Sequence, residues 1–216
     1  MTLMLYSHPF SSYCQKVLIA LWENDLPFEY RHLEHPGASE ELAQLWPLRK
    51  FPVLVDDGKT VVETSIIIEY LDRNYPGAVR FLPTGEAALE VRLMDRFFDN
   101  YVMNAMSKPV FEALKAEGGR TKEALAEARV ALDTAYAWLE RRLENRIWAA
   151  GDDFSMADCA AAPSLFDADW VHQFAPSVPR LREYRAKLLN RPSFARAVEE
   201  ARPYRHYFPL GAPDRD

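Results

Sequence analysis

The spacing of hydrophobic positions changes character near residue 76. Before it, apolar runs of strand length alternate with stretches of helical spacing. Thr2–Ser7 is a short apolar run, and Phe28–Leu33 alternates apolar and polar residues as a half-buried strand does. Between them Val17, Leu18, Leu21 and Trp22 recur on one helical face. Ser39–Trp46 reads as a short helix opened by Ser39, with Leu42, Leu45 and Trp46 on one side. Two apolar runs around Asp57-Gly58 predict a hairpin. From Thr64 a helical pattern runs on and stops before Pro76. The order is β-α-β-α-β-β-α. Alternation predicts parallel strands, the hairpin adds an antiparallel edge, and the small sheet carries helices on both faces.

Beyond Tyr75–Gly85, a stretch rich in proline and glycine, no strand alternation remains. Glu86–Ala116 is amphipathic at helical period and is interrupted near Pro109. Arg120–Arg146 predicts a second long helix, with Leu125, Leu132, Ala135, Leu139 and Leu143 along one stripe. Further helices are predicted over 155–171, 178–190 and 193–200, with Pro192 suited to an N-terminal position. The proline-rich, aromatic tail after Pro203 is expected to lie on the surface. The chain thus divides into an α/β unit over 1–76, a linker over 77–86 and an all-helical unit over 87–216.

Hydrophobic residues make up 49% and charged residues 27% of the chain, the ordinary range for a globular protein. A net charge of −6 argues against nucleic acid as a partner. Arginines gather between Arg180 and Arg205, but interspersed acids and prolines make this a solvated helical face, not a phosphate track. No apolar stretch approaches the ~20 residues that span a membrane, and the start lacks a basic leader. Cys14 and Cys159 are the only cysteines, too few for a disulfide framework, so a reducing cytoplasm is the expected compartment. His32 and His35 lack a third ligand, and no metal is expected. Ser7–Cys14 contains no glycine, which excludes a phosphate-binding loop at the first strand-to-helix turn.

The chemistry concentrates at that turn. Ser11 lies at the mouth of the first helix, where first-turn N–H groups lack partners and the helix dipole favours an anion. Ser11 or Ser12 caps the helix, or one of these hydroxyls donates to a bound anion such as a thiolate. Tyr13 and Tyr6 are rival hydroxyl donors. Cys14, one turn in, is expected to pack inward as a small hydrophobe. Glu63-Thr64 opens the third helix, where a backbone N–H and a hydroxyl make a carboxylate site. Ser155-Met156-Ala157-Asp158 is a capping box, so Ser155 and Asp158 have a structural role.

Three segments carry a resemblance. LYSHPFSSYCQKVLIAL resembles the start of bacterial, serine-type glutathione S-transferases. RKFPVLVDDGKTVVETSIIIEYLDRNYP is similar to that family's proline-led hairpin and following Glu-Ser/Thr pair, and GDDFSMADCAAAP to its capping box. The resemblance covers nearly the whole chain, in order. It implies a thioredoxin-like N-terminal domain that binds glutathione and a helical C-terminal domain that shapes a pocket for a small hydrophobic electrophile. It places the catalytic serine on Ser11 and implies a cis Pro52, with Val53 or Phe51 pairing its main chain with the cysteinyl part of glutathione. Lys50 would reach the glycine carboxylate, and Glu63 and Thr64 would hold the γ-glutamyl amino and carboxylate groups. Phe10, Tyr101, Met103, Met106, Phe111, Phe166 and Trp170 are candidates for the electrophile pocket. The resemblance also implies a homodimer and no metal. The sequence departs from the pattern at Ser12, often proline, and at Phe51, where valine or isoleucine is commoner. The Ser11-Ser12-Tyr13-Cys14 run matches the isomerase-type zeta class in part. A non-catalytic scaffold of the same fold is the remaining alternative.

Overall fold

The computed structural model describes residues 3–115 and 120–216. Thr2 of the first predicted strand and Ala116 of a predicted helix lie outside the described residues. β1 (Leu3–Ser7), α1 (Ser12–Glu23), β2 (Glu29–His32), α2 (Ala38–Leu45), β3 (Val53–Asp56), β4 (Lys59–Val62) and α3 (Thr64–Asn74) follow in the expected order. They build a thioredoxin-like sheet of strand order β2-β1-β3-β4. Only β1 and β2 are parallel; β3 is antiparallel to β1, and β4 to β3. The expectation of parallel strands with one antiparallel edge is corrected here. Apolar alternation does not encode strand direction; the connection does. The chain leaves β2 at His32 beside Ser7 and re-enters at Val53 beside Tyr6, so α2 returns it to the end it left.

Helices cover both faces. Leu42 of α2 packs with Tyr6 and Val53 on one face. α1 and α3 supply Val17, Leu18, Leu21, Ile67, Ile68 and Leu71 on the other. α1 is buried continuously from Cys14 to Leu21, since the helical half covers the side that the sheet leaves open. α2 opens one residue earlier than predicted, with Gly37 at its N-cap at φ 80°. That left-handed conformation favours glycine, and Ser39 falls inside the helix instead of capping it.

The helical half comprises α4 (Glu86–Phe97), a π-helical turn (Phe98–Met103), α5 (Asn104–Ala113), α6 (Thr121–Arg142), α7 (Met156–Val171), α8 (Pro179–Leu189) and α9 (Pro192–Ala201). The interruption predicted near Pro109 sits instead in the π turn, and Pro109 lies inside α5. α6 stops at Arg142, short of the predicted Arg146. Pro179 and Pro192 both occupy first-turn positions, where a missing N–H costs nothing. Among the described residues no helix is long and apolar enough to cross a membrane.

One surface expectation holds, with an anchor, and another changes. After α9 the chain forms a 3-10 turn (Arg202–Tyr207), and Phe208 is buried with its ring 5.2 Å from Trp170. The tail otherwise lies on the surface as expected, with Phe208 as its one buried residue. The arginines of the last helices are not all solvated. Arg196 is exposed, but Arg191 lies 3.8 Å above Phe154 and clasps Glu23, and only 11% of the Arg185 side chain is accessible.

α7 is the buried axis of this half. Its start holds the predicted capping box of Ser155 and Asp158. The Asp158 carboxylate accepts from Ser155 N (2.9 Å), Ala149 N (2.9 Å) and the Tyr184 hydroxyl (2.6 Å), all buried. Asp158→Ala leaves those donors without an acceptor, each at a cost of about 1–3 kcal/mol. The expected outcome is a loss of at least ~3 kcal/mol in urea unfolding.

Candidate functional site

Strand register gathers the three singled-out segments. Tyr6 pairs with Val53, and Val53 with Val62. The end of β1, the start of β3 and the end of β4 therefore lie side by side. The loop to Ser11, Phe51-Pro52 and Glu63-Thr64 all emerge at this one end of the sheet. The N-termini of α1 and α3 open there too, bringing two positive dipole ends to one cleft.

Ser11 is the N-cap of α1, in extended backbone (φ −83°, ψ 120°). Its Oγ accepts from the Cys14 N–H at 3.4 Å, a long bond that leaves the hydroxyl proton available to another acceptor. Ser11 thus caps the helix and still has a proton to donate. The rivals differ. The Tyr6 hydroxyl is given to Glu41 at 3.0 Å. Burial pushes the Tyr13 phenol up to about 12, reinforced by the Asp99 charge, making it a weaker donor. Cys14 is fully buried, as expected, and burial raises its pKa.

The Phe51-Pro52 peptide is cis. Val53 is buried within the ladder between β1 and β4, whereas Phe51 stands ahead of the strand and is exposed. Lys50 is exposed beside it. Glu63 takes a positive φ of 69° as it leads into α3, a strained conformation for a residue with a Cβ. Its side chain is exposed and makes no capping bond, while Thr64 and Ser65 are buried.

A buried ionic cluster holds that turn from behind. Ser65 donates to Asp95 (2.7 Å) and accepts from Lys16 Nζ (3.1 Å). Lys16 pairs with Asp95 (2.6 Å) and Asp99 (2.8 Å), and Arg96 pairs with the same two carboxylates. Two cations thus face two anions. Burial raises the Asp99 pKa, against the pull of Lys16.

The electrophile-pocket candidates do not converge. Met103, Met106 and Phe166 are core residues. Tyr101 lines a groove of about 420 Å³ with Phe97 and Trp138, and Phe111 borders another of about 280 Å³. Trp170 packs on Phe166 and Phe208. Phe10 alone stays beside Ser11, its ring 6.5 Å from Tyr207. Helical spacing in those segments reported packing, not a shared cavity.

Sequence reasoning missed four residues here. The Ser12 hydroxyl donates to the Asp167 carboxylate of α7, joining the mouth of α1 to the helical half. The signal was available, since Asp167 is a carboxylate within the largely apolar α7. His8, Tyr204 and Tyr207 come together only through the tail. Tyr207 gives its hydroxyl to Glu34 (2.9 Å), and His8 Nε2 and the Tyr204–His32 pair complete the latch at 3.2 Å each. His8, His32 and Glu34 place one potential ligand atom each within 4.8 Å of the others. Both imidazoles, however, accept a backbone N–H at Nδ1, from Phe10 and from Glu34. That leaves the proton on Nε2, so ligation there would break both bonds.

A family model described as glutathione S-transferase, N-terminal domain, matches residues 5–79, and one described as glutathione S-transferase, C-terminal domain, matches residues 122–187. A crystal structure of a glutathione S-transferase from Methylobacterium radiotolerans, in complex with glutathione sulfonate, is 31% identical. It superposes with a TM-score of 0.76, covering 92% of this chain and 95% of its own. Glutathione S-transferase U10 of Arabidopsis thaliana is 30% identical over 72% of this chain and 66% of its own length. A probable maleylacetoacetate isomerase of Vibrio cholerae is 29% identical over 94% of this chain and 98% of its own.

Burial pushes the Asp167 carboxyl up to about 7, only partly opposed by the Ser12 hydroxyl. An unfolded aspartate loses its proton near pH 4. Between about pH 4 and 7 the folded state keeps a proton that the unfolded state releases, so stability falls as pH rises through that window. Asp167→Asn keeps an acceptor for Ser12 and removes the titration. Melting temperatures should show the variant gaining on the parent from pH 5 to pH 8; a constant difference would contradict this assignment.

Proposed function

The chain belongs to the glutathione S-transferase family, and we propose that it is a glutathione transferase in which the Ser11 hydroxyl stabilises the thiolate of bound glutathione. The observation that carries this reading is the register Tyr6–Val53–Val62, which sets Ser11, Phe51-Pro52 and Glu63-Thr64 around one cleft. In it, the main chain of Phe51 pairs with the cysteinyl residue as an added strand would. Thr64 offers its N–H and hydroxyl to the γ-glutamyl carboxylate, Glu63 faces the amino group on the same carbon, and Lys50 reaches the glycine carboxylate.

The energetics suffice. A free thiol has a pKa of about 8.5, and lowering it by ~2 units takes roughly 2.7 kcal/mol. A hydrogen bond to a charged acceptor contributes about 1.5–3 kcal/mol, and the helix N-terminus about 0.3–1 kcal/mol more. Ser11 acts as a donor throughout and is neither base nor nucleophile. The thiolate sulfur forms the new bond to a hydrophobic electrophile, whose leaving group departs with the electron pair. Phe10 and the Tyr204–Tyr207 turn supply the nearest aromatic surface.

A second reading rests on the Vibrio cholerae relative, which spans nearly the whole chain, and on the Ser11-Ser12-Tyr13-Cys14 run. In an isomerase the same thiolate would add to a cis double bond and leave after rotation, regenerating glutathione. Assays with an aryl halide and with a maleyl substrate separate the two activities.

Ser11→Ala is expected to lower turnover at least ~10-fold while glutathione still binds, and to abolish the ultraviolet thiolate band near neutral pH. Binding without turnover on either substrate by the parent protein would favour a scaffold. An unchanged band in the variant would remove Ser11 from its role.

The proposal includes a homodimer. Ile66 of α3 and Leu89 and Leu93 of α4 are exposed apolar side chains flanking the Arg92–Glu69 ion pair. Leu93→Glu should shift the sedimentation coefficient from dimer to monomer; a monomeric parent protein would contradict this part of the proposal.

A further inference from the structure

Three arginines of this protein pair with a glutamate through the Nε/Nη2 edge of the guanidinium. Arg31 presents that edge to Glu41 at 2.9 and 2.7 Å, Arg92 to Glu69 at 2.9 Å twice, and Arg191 to Glu23 at 2.7 and 2.5 Å. This side-on pairing is the geometry in which two parallel N–H groups match two oxygens. Arg185 on α8 breaks the pattern. Its side chain is 11% accessible, yet neither Nε nor Nη2 has a hydrogen-bond acceptor. The nearby carboxylate, Asp169 Oδ2, stands 3.6 Å from Nη2.

Asp169 is already shared. Its Oδ1 accepts the Phe174 N–H at 3.1 Å, and Arg215 Nη1 of the tail lies 3.2 Å from Oδ2. Two guanidiniums therefore lean on one carboxylate. The next acid, Asp216, is held by Arg202 and Arg205. A buried cationic group whose hydrogen-bond donors lack acceptors is costly, and Asp169 serves Arg185 and Arg215 at once. These groups border a cavity of about 490 Å³ between the end of α7, α8 and the tail, lined also by Arg182, Gln173 and the carboxylates of Glu183 and Asp216. The overall charge of −6 does not draw anions to the molecule, so any attraction is local to this cavity.

We propose that this cavity binds a phosphate group, side-on at the Nε/Nη2 edge of Arg185 and bridged to Arg215. A planar carboxylate would use both oxygens on the Arg185 edge. A tetrahedral oxyanion keeps others for Arg215, Arg182 and Gln173. The cavity is larger than one such ion, so the group is either free phosphate or the head of a small phosphomonoester. The site shares no residue with the glutathione cleft and does not depend on the reaction proposed there.

The test titrates sodium phosphate and, separately, glycerol phosphate at constant ionic strength, reading melting temperature and calorimetric binding. The parent protein should respond saturably in the millimolar range. Arg185→Lys keeps the charge but loses the side-on pair and should weaken binding at least ~10-fold. Arg215→Gln, in the tail, should weaken it ~10-fold and tests the site even where Arg185 variants fold poorly. Tighter binding of glycerol phosphate identifies a monoester as the ligand; equal or weaker binding identifies the free ion. No saturable response in the parent protein, or unchanged affinity in both variants, overturns the proposal and leaves Arg185 as a plain ion pair of Asp169.

Discussion

Lys16 is the charge on which the two halves of the molecule meet. It is buried in α1 and pairs with Asp95 and Asp99 from the helical half, while Arg96 pairs with the same two carboxylates. Asp95 and Asp99 stand four residues apart and so share a helical face. Removing one member of such a cluster leaves an unpaired charge in the interior, at about 3–5 kcal/mol. An apolar cluster of the same volume could be equally stable, so what the charges supply is uniqueness. The first turn of α3 reaches the cluster through Ser65, next to Thr64. The two helix mouths that frame the cleft are thereby fixed to one another from behind.

The ladder sets the cleft from the other side. Because β3 runs against β1, its start lies where β1 ends, and the hairpin returns β4 to that same end. Had β3 been parallel to β1, Phe51-Pro52 and Glu63-Thr64 would emerge at the opposite end of the sheet from Ser11. The direction of one strand decides whether three segments form a site.

Much of this arrangement was legible in the sequence because it is local. Ser11 before an apolar helical run, a proline before a strand, Asp-Gly between apolar runs and a capping box each report their own few residues and are found as read, whereas Ser39 falls inside α2. The direction of β3 was not legible, since alternation is the same either way. Nor was the break after α4, because the sequence offered Pro109 while the backbone widens at Phe98–Met103. The partner of Asp167 lies far away along the chain, at Ser12, and Asp169 is shared by Arg185 of α8 and Arg215 of the tail. A charged residue inside an apolar run signals that a partner exists, not which one. The dispersed fate of Tyr101, Met103, Met106 and Trp170 has a related cause: one helical period serves a core and a pocket wall alike.

Ser11 and Cys14 make the closing contrast. They sit one turn apart and are joined by a long hydrogen bond from the Cys14 N–H to the Ser11 oxygen. Burial separates their chemistry. Cys14 lies under the loop, where desolvation disfavours its thiolate and Ser11, Ser7 and the His8 N–H only partly offset that. Ser11 stands at the helix mouth with a positive dipole end beside it. The chain's own sulfur at this turn is thus held in the form that does not react, while the adjacent hydroxyl is placed to favour an anion from outside. A mouth built this way suits a reaction in which the thiol arrives with the ligand.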